Sequence, residues 1–154
     1  MKTILVPLDL SSAAVQVCDA ACELAKLIGA RPILLHIVQP PPVMMSDVYA
    51  FDASQLGLLS AAAEKNAVHK LLALARHCAK QQVKVTTVQR TGVAVAVILA
   101  KARSTRARYL VMGSHGHGAM YDLLVGSTTH GVLMKAPCPV LIVPAAGARP
   151  RPAR

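Results

Sequence analysis

Residues 109–129 read Tyr-Leu-Val-Met-Gly-Ser-His-Gly-His-Gly-Ala-Met-Tyr-Asp-Leu-Leu-Val-Gly-Ser-Thr-Thr. An apolar run that stops at Gly113 and gives way to glycines has the form of a buried strand opening into a loop whose backbone can approach a ligand closely. Further on, Gly126-Ser127-Thr128-Thr129 offers capping hydroxyls ahead of a second amphipathic segment, which predicts a helix start with unpaired N–H groups. Two amide-rich elements then face one crevice, an arrangement suited to phosphate.

Working outward, residues 2–8 are a short apolar run ended by Pro7-Leu8-Asp9, the pattern of a buried strand reaching a loop. Ser11 or Ser12 is placed to cap a helix whose apolar positions Val15, Ala21, Leu24, Ala25 and Ile28 recur at helical spacing until Gly29 stops it. Residues 32–38 form a second strand. Pro40, Pro41 and Pro42 open a loop that continues to Ala50. From Asp52 or Ser54 a long helix is predicted to about Gln81, with Leu58, Leu59, Ala62, Ala63, Val68, Leu71, Leu72 and Leu74 as its apolar positions. Residues 83–89 alternate as a strand, and Gly92 turns the chain. Residues 93–103 are rich in β-branched side chains, yet a parallel connection to the strand at Tyr109 requires a crossover, so a helix is expected. Val140-Leu141-Ile142-Val143 is the last strand. This alternation defines an α/β protein with a doubly wound, five-stranded parallel sheet. Residues 145–154 are basic and carry nothing apolar enough to pack, so a disordered tail is expected after a single domain at 1–144.

A chain of 154 residues is long enough to bury roughly two thirds of its unfolded surface without disulfides or a structural metal. Its composition, 54% hydrophobic but 3% aromatic, calls for a core of Ala, Val, Leu and Ile. No apolar run approaches the roughly 18 residues of a membrane span. The N-terminus begins a strand directly, with no basic leader and apolar stretch, so a cytoplasmic location is expected. Cys18, Cys22, Cys78 and Cys138 form no CxxC pair and no zinc-ligand spacing. Cys18 and Cys22 lie one helical turn apart, but they share a helix with Ala14, Val17, Ala21 and Ala25, and packing accounts for them. The formal charge is +10, and no acidic residue occurs from Lys65 through Tyr121. Such a surface attracts polyanions. Specific nucleic-acid recognition would add stacking aromatics or a recognition module, whereas the aromatic residues are Tyr49, Phe51, Tyr109 and Tyr121 alone. The cations read mostly as solvated helix surface, with nonspecific nucleic-acid affinity as the minor alternative.

The spacing Gly113-x2-Gly116-x9-Gly126-Ser127 resembles the nucleotide-binding signature of the universal stress protein family, in its ATP-binding branch. Ile4-Leu5-Val6-Pro7-Leu8-Asp9-Leu10-Ser11, Leu35-His36-Ile37-Val38 and Ala136-Pro137-Cys138-Pro139-Val140-Leu141-Ile142-Val143-Pro144 extend the resemblance over residues 2–144. The resemblance implies an adenine nucleotide alpha hydrolase-like, Rossmann-like fold with strand order 3-2-1-4-5. The carboxyl ends of the first and fourth strands would then meet at the switch point where ligands bind. Carried over, Gly113 lies beside the ribose, and Gly116, Gly126, Ser127 and Thr129 hold the phosphates, with Thr128 at the same helix start. Pro7, Leu8 and Asp9 border adenine and ribose, Val38 meets the base through its backbone, and Met112 and His115 complete the wall. Asp9 also reads as a plain helix cap. The implied ligand is ATP, with or without magnesium. The implied assembly is a homodimer through Val140, Leu141, Ile142 and Val143, an edge strand that soluble proteins do not leave open.

Competing chemistries find less support. A Walker loop needs Gly-Lys followed by Ser or Thr, and no such triplet exists. The dinucleotide fingerprint has the wrong glycine order and belongs after the first strand. For hydrolysis, His115, His117 and Asp122 are candidate bases without a His/Asp dyad or a recognisable Arg, so no catalytic residue is assigned. His115, His117 and His130 could be read as a metal cluster, but loop and helix-surface positions explain them, and no metal site is assigned. The reading is a nucleotide-dependent regulatory or stress-response module, with a slow ATP hydrolase or a nucleotide-independent interaction module as the alternatives.

Overall fold

In the computed structural model the strands and helices alternate along the chain as β1 (Lys2–Leu8), α1 (Ala14–Ile28), β2 (Ala30–Val38), α2 (Ala53–Lys80), β3 (Thr86–Thr91), α3 (Ala94–Ser104), β4 (Tyr109–Gly113), α4 (Ser127–Leu133) and β5 (Val140–Val143). The structure describes residues 2–39, 53–114 and 125–144, with 53–60 as backbone alone. The expected loop at residues 40–50, His115 and Gly116, and the expected tail at 145–154 lie outside the described residues.

All pairings are parallel and the sheet order is β3-β2-β1-β4-β5, as the family resemblance implied. Side chains alternate across the sheet and so feed two cores. Ile4, Val6, Leu34 and Val111 pack on one face with Ala14, Val17, Cys18, Ala21 and Cys22 of α1 and Leu71, Leu74 and Cys78 of α2. Leu5, Leu35, Leu110 and Met112 pack on the other with Ile98, Leu99 and Ala102 of α3 and Val132 of α4. The helix at residues 93–103 is present because a crossover between parallel neighbours outweighs the modest helix propensity of valine and isoleucine. Two glycines are required by geometry. Gly92 has φ +142° and donates its N–H to the Val38 carbonyl, and a Cβ at Gly131 would come within 2.9 Å of the Val95 side chain, so α3 and α4 pack closely there.

Several sequence expectations are corrected. The buried face of α1 is Ala14, Val17, Cys18, Ala21, Cys22 and Ala25, while Val15 faces water. On α2, Val68 and Leu72 are likewise exposed, and Ala67, Leu71, Leu74 and Cys78 carry the packing. Neither Ser11 nor Ser12 caps α1, whose N-cap is Ala13 without a side-chain bond; the local hydrogen bond runs instead from the Ser11 N–H to Asp9 Oδ1. The third strand begins at Thr86 rather than Val83. The reason lies in the end of α2, where the Val83 N–H bonds the Cys78 carbonyl and the Gln82 N–H bonds the Ala79 carbonyl, with Gln82 left-handed. That closing motif uses the first residues of the expected strand. The second strand starts earlier than residue 32, at Ala30, opposite Lys2.

Cys18, Cys22 and Cys78 are fully buried, as the packing reading requires. Burial and a hydrogen bond with Cys78 push the Cys22 thiol up to about 12, and a hydrogen bond with Cys18 together with burial raises Cys78 further. A thiol raised in the folded state favours folding below its unfolded pKa, near 8.5, and loses that contribution as pH climbs toward the folded value. Thermal stability should therefore fall above about pH 9 and fall less steeply in Cys22→Ala, read from melting curves across pH 7–11. Thiol labelling of the native protein should reach the half-exposed Cys138 first.

Candidate functional site

The cleft originates in the way β1 and β4 part. β1 pairs with β2 along its whole length, from Lys2↔Ala30 to Leu8↔His36, but with β4 only at Ile4↔Tyr109 and Leu5↔Leu110. Beyond those pairs both strands continue, to Leu8 and Gly113, so they splay toward their carboxyl ends.

The direction of the hydrogen bonds explains two residues at the opening. The Thr3 carbonyl accepts the Arg108 N–H, which places Thr3, Leu5 and Pro7 with their backbone groups toward β4. Pro7 has no N–H to offer, and its side of the strand is the one where β4 has already departed. A proline in a central strand is tolerated here for that reason. On β4, Leu110 and Ser114 donate toward β5, to the carbonyls of Pro139 and Val143, so Gly113 directs its carbonyl into the gap. There the Thr129 hydroxyl donates to it at 3.0 Å. This bond ties the start of α4 to the end of β4, and the Gly126 N–H reinforces it by bonding the Ser114 carbonyl at 2.8 Å.

The start of α4 supplies the donors. Gly126 is the N-cap without a side-chain cap bond, and the helical pattern begins with the His130 N–H on the Gly126 carbonyl. The N–H groups of Ser127, Thr128 and Thr129 precede that bond and lie where the helix has no partner for them. The expectation of capping hydroxyls is corrected: the Thr129 hydroxyl, buried, spends its proton on Gly113, so toward a ligand Thr129 offers its amide.

The opposite rim is the loop after β1. Asp9 is exposed, with Oδ1 accepting the Ser11 N–H at 3.0 Å. Leu10 is left-handed at φ +60°, an unfavourable state for leucine worth on the order of 1 kcal/mol, and it reverses the chain so that Ala13 and Ala14 return to the cleft. His36 holds the end of β1 from the side, with Nδ1–H donating to the Leu8 carbonyl at 2.9 Å.

These elements enclose a cleft of about 490 Å³, within the range of small-molecule sites. Among the predicted residues it brings together Pro7, Leu8, Asp9, Met112, Gly113, Gly126, Ser127, Thr128 and Thr129. Val38 is not in the lining; its carbonyl accepts the Gly92 N–H, and Ile37 and Gln39 face the cleft instead. His115 and Gly116 lie outside the described residues. Ala13 ahead of α1, Ala14 and Val17 of α1 and Ala94 and Ile98 of α3 also line the cleft, and sequence reading did not assign them to it. The available signals were the i, i+4 pair Ala94/Ile98 and the alternation that sets Ile37 on the same sheet face as Leu35. One end of the cleft is therefore apolar, Asp9 stands on its rim, and three backbone amides stand at its other end.

A doubly wound parallel sheet with a ligand-sized cleft at its switch point defines a Rossmann-like α/β architecture. Residues 1–144 match the universal stress protein family, and the chain belongs to that family. A universal stress protein of Synechocystis is 33% identical over 93% of this chain and 85% of its own length. The solved structure of a universal stress protein of Methanocaldococcus jannaschii superposes with a TM-score of 0.76 at 24% identity, covering 97% of both chains. A universal stress protein of Archaeoglobus fulgidus, solved in complex with dAMP, superposes with a TM-score of 0.66 at 19% identity over 92% of this chain and 97% of that one.

Proposed function

We propose that this universal stress protein binds an adenine nucleotide, ATP in the first instance, in the cleft between β1 and β4, and acts as a nucleotide-dependent regulatory module. The observation that carries the reading is the convergence of Asp9, Gly113 and the amide-bearing start of α4 on one cleft. The dAMP complex of the Archaeoglobus fulgidus relative supports the ligand class. In this reading Ile37, Met112 and Ile98 flank the adenine, and Asp9 accepts from the ribose hydroxyls. The Ser127, Thr128 and Thr129 amides donate to phosphate oxygens, each contributing on the order of 1 kcal/mol or somewhat more because the acceptor is charged. None of the described lining residues is a lysine or arginine, so amides, and magnesium where it accompanies ATP, balance the phosphate charge. Bound nucleotide then shifts the population of conformers or partners. The same reading places the protein in the cytoplasm, where ATP is abundant; no helix of the described residues is long and apolar enough to cross a membrane.

Mass spectrometry of small molecules released from the denatured purified protein should find an adenine nucleotide, and calorimetry should show ATP binding to the emptied protein. Asp9→Ala should weaken ATP about tenfold without abolishing it, because one charge-assisted contact is lost. Absence of any nucleotide in both measurements would overturn the reading. We also propose a homodimer through β5, which has β4 on one side and no described neighbour on the other.

A further inference from the structure

At the other end of the sheet from the nucleotide cleft, a second cleft of about 580 Å³ lies between the end of α3, the start of β4 and the approach to β5. Arg103, Arg106 and Arg108 line it, with Tyr109, Cys138 and Pro139. We infer that this is a second, independent anion site that takes a compact oligophosphate through the three arginines.

The backbone fixes the positions from which the three exposed arginines extend. The Arg106 N–H bonds the Arg103 carbonyl, the Ala107 N–H bonds the Ala102 carbonyl, and the Arg108 N–H bonds the Thr3 carbonyl at 2.7 Å. The first two bonds form the helix-closing motif in which the left-handed residue is ordinarily glycine, and here it is Arg106 at φ +49°. The parallel sheet adds to the charge, since all strands begin at this end. Lys2 and Arg31 stand at the starts of β1 and β2, with Arg31 opposite Thr3, and Lys101 and Arg103 occupy the last turn of α3. Among the described residues the ion pair is His77 with Asp19, and it lies between α1 and α2. The three arginines thus have no described carboxylate partner.

The shape and chemistry select the ligand. Guanidinium groups bind phosphate oxygens through paired N–H donors, and three of them exceed the needs of a single phosphate. Single-stranded nucleic acid would need stacking surfaces, and the one ring in the lining, Tyr109, packs against the core behind β4. Burial keeps the Cys138 thiol protonated, so it brings no negative charge to oppose the anion.

The test is calorimetric titration of the full chain with inorganic tripolyphosphate at low and moderate salt. Binding should weaken steeply with salt, and Arg106→Gly combined with Arg108→Gln should reduce affinity roughly a hundredfold, about tenfold per arginine. Glycine suits the left-handed position, so that variant should keep its melting temperature; Arg108→Gln alone provides a second check. Because tripolyphosphate can also meet the amides that follow Gly126, the arginine substitutions are compared within Gly126→Asp, whose nucleotide cleft should no longer take phosphate, so the binding that remains reports the arginine cleft and separates this inference from the nucleotide reading. The inference is overturned if Gly126→Asp does not bind tripolyphosphate, or if adding the arginine substitutions to it leaves that binding unchanged. It is also overturned if a short single-stranded RNA binds more tightly with the same arginine dependence, since nucleic acid would then be the occupant.

Discussion

ATP binding is expected to be lost in Gly126→Asp, with affinity reduced at least a hundredfold by calorimetry. Gly126 is the N-cap of α4, its own N–H is committed to the Ser114 carbonyl, and the amides of Ser127, Thr128 and Thr129 follow it into the cleft. A carboxylate on Gly126 competes for those amides as a side-chain cap and repels the phosphates that should occupy them. Like charges so placed cost several kcal/mol, and about 2.7 kcal/mol is a hundredfold. The backbone of Gly126 is at φ −56°, open to any residue, so the variant should fold and melt near the unmodified protein. Unchanged ATP affinity in a folded variant would remove α4 from the site and leave the phosphates to be placed elsewhere.

The second large effect concerns assembly. Analytical ultracentrifugation at micromolar concentration should find the unmodified protein dimeric and Leu141→Lys monomeric. Val140 and Ile142 pack toward α3 and α4 and Val143 packs against the opposite core, while Leu141 is 41% exposed. The structure therefore singles out Leu141 as the β5 side chain with apolar area left to bury. In a two-fold strand pairing each copy contributes the same residue, so one substitution places two unpaired ammonium groups at the interface. A monomeric unmodified protein would refute the proposed dimer. A dimer unaffected by the lysine would move the interface off β5.

The corrected strand and helix boundaries have local causes that hydrophobic pattern does not register. Val83 is apolar and begins an alternating run, yet its N–H closes α2, and the strand waits for Thr86. Ser11 carries the right side chain for a cap, but the Asp9 carboxylate takes its N–H in the preceding turn and α1 starts from Ala13. Exposed Val15 and Leu72 show that apolar spacing fits more than one helix face, and contact with the sheet chooses among them.

By itself the sequence determined the alternation of strands and helices, the parallel sheet and the glycine-marked cleft elements at Gly113 and Gly126, while Pro7, Leu8, Asp9 and Met112 followed from the family resemblance. It could do so because strand length, helical periodicity and glycine placement are local properties that survive in the one-dimensional chain. The tertiary structure alone decided that β1 and β4 separate after Leu5 and Leu110. That separation gives Pro7 its place and turns the Gly113 carbonyl to the Thr129 hydroxyl; at the end of β2, Ile37 and Gln39 line the wall. It also gathered Arg103, Arg106 and Arg108 about a cleft at the opposite end. Such features depend on distances between residues as far apart as Thr3 and Arg108, which only the packed sheet sets.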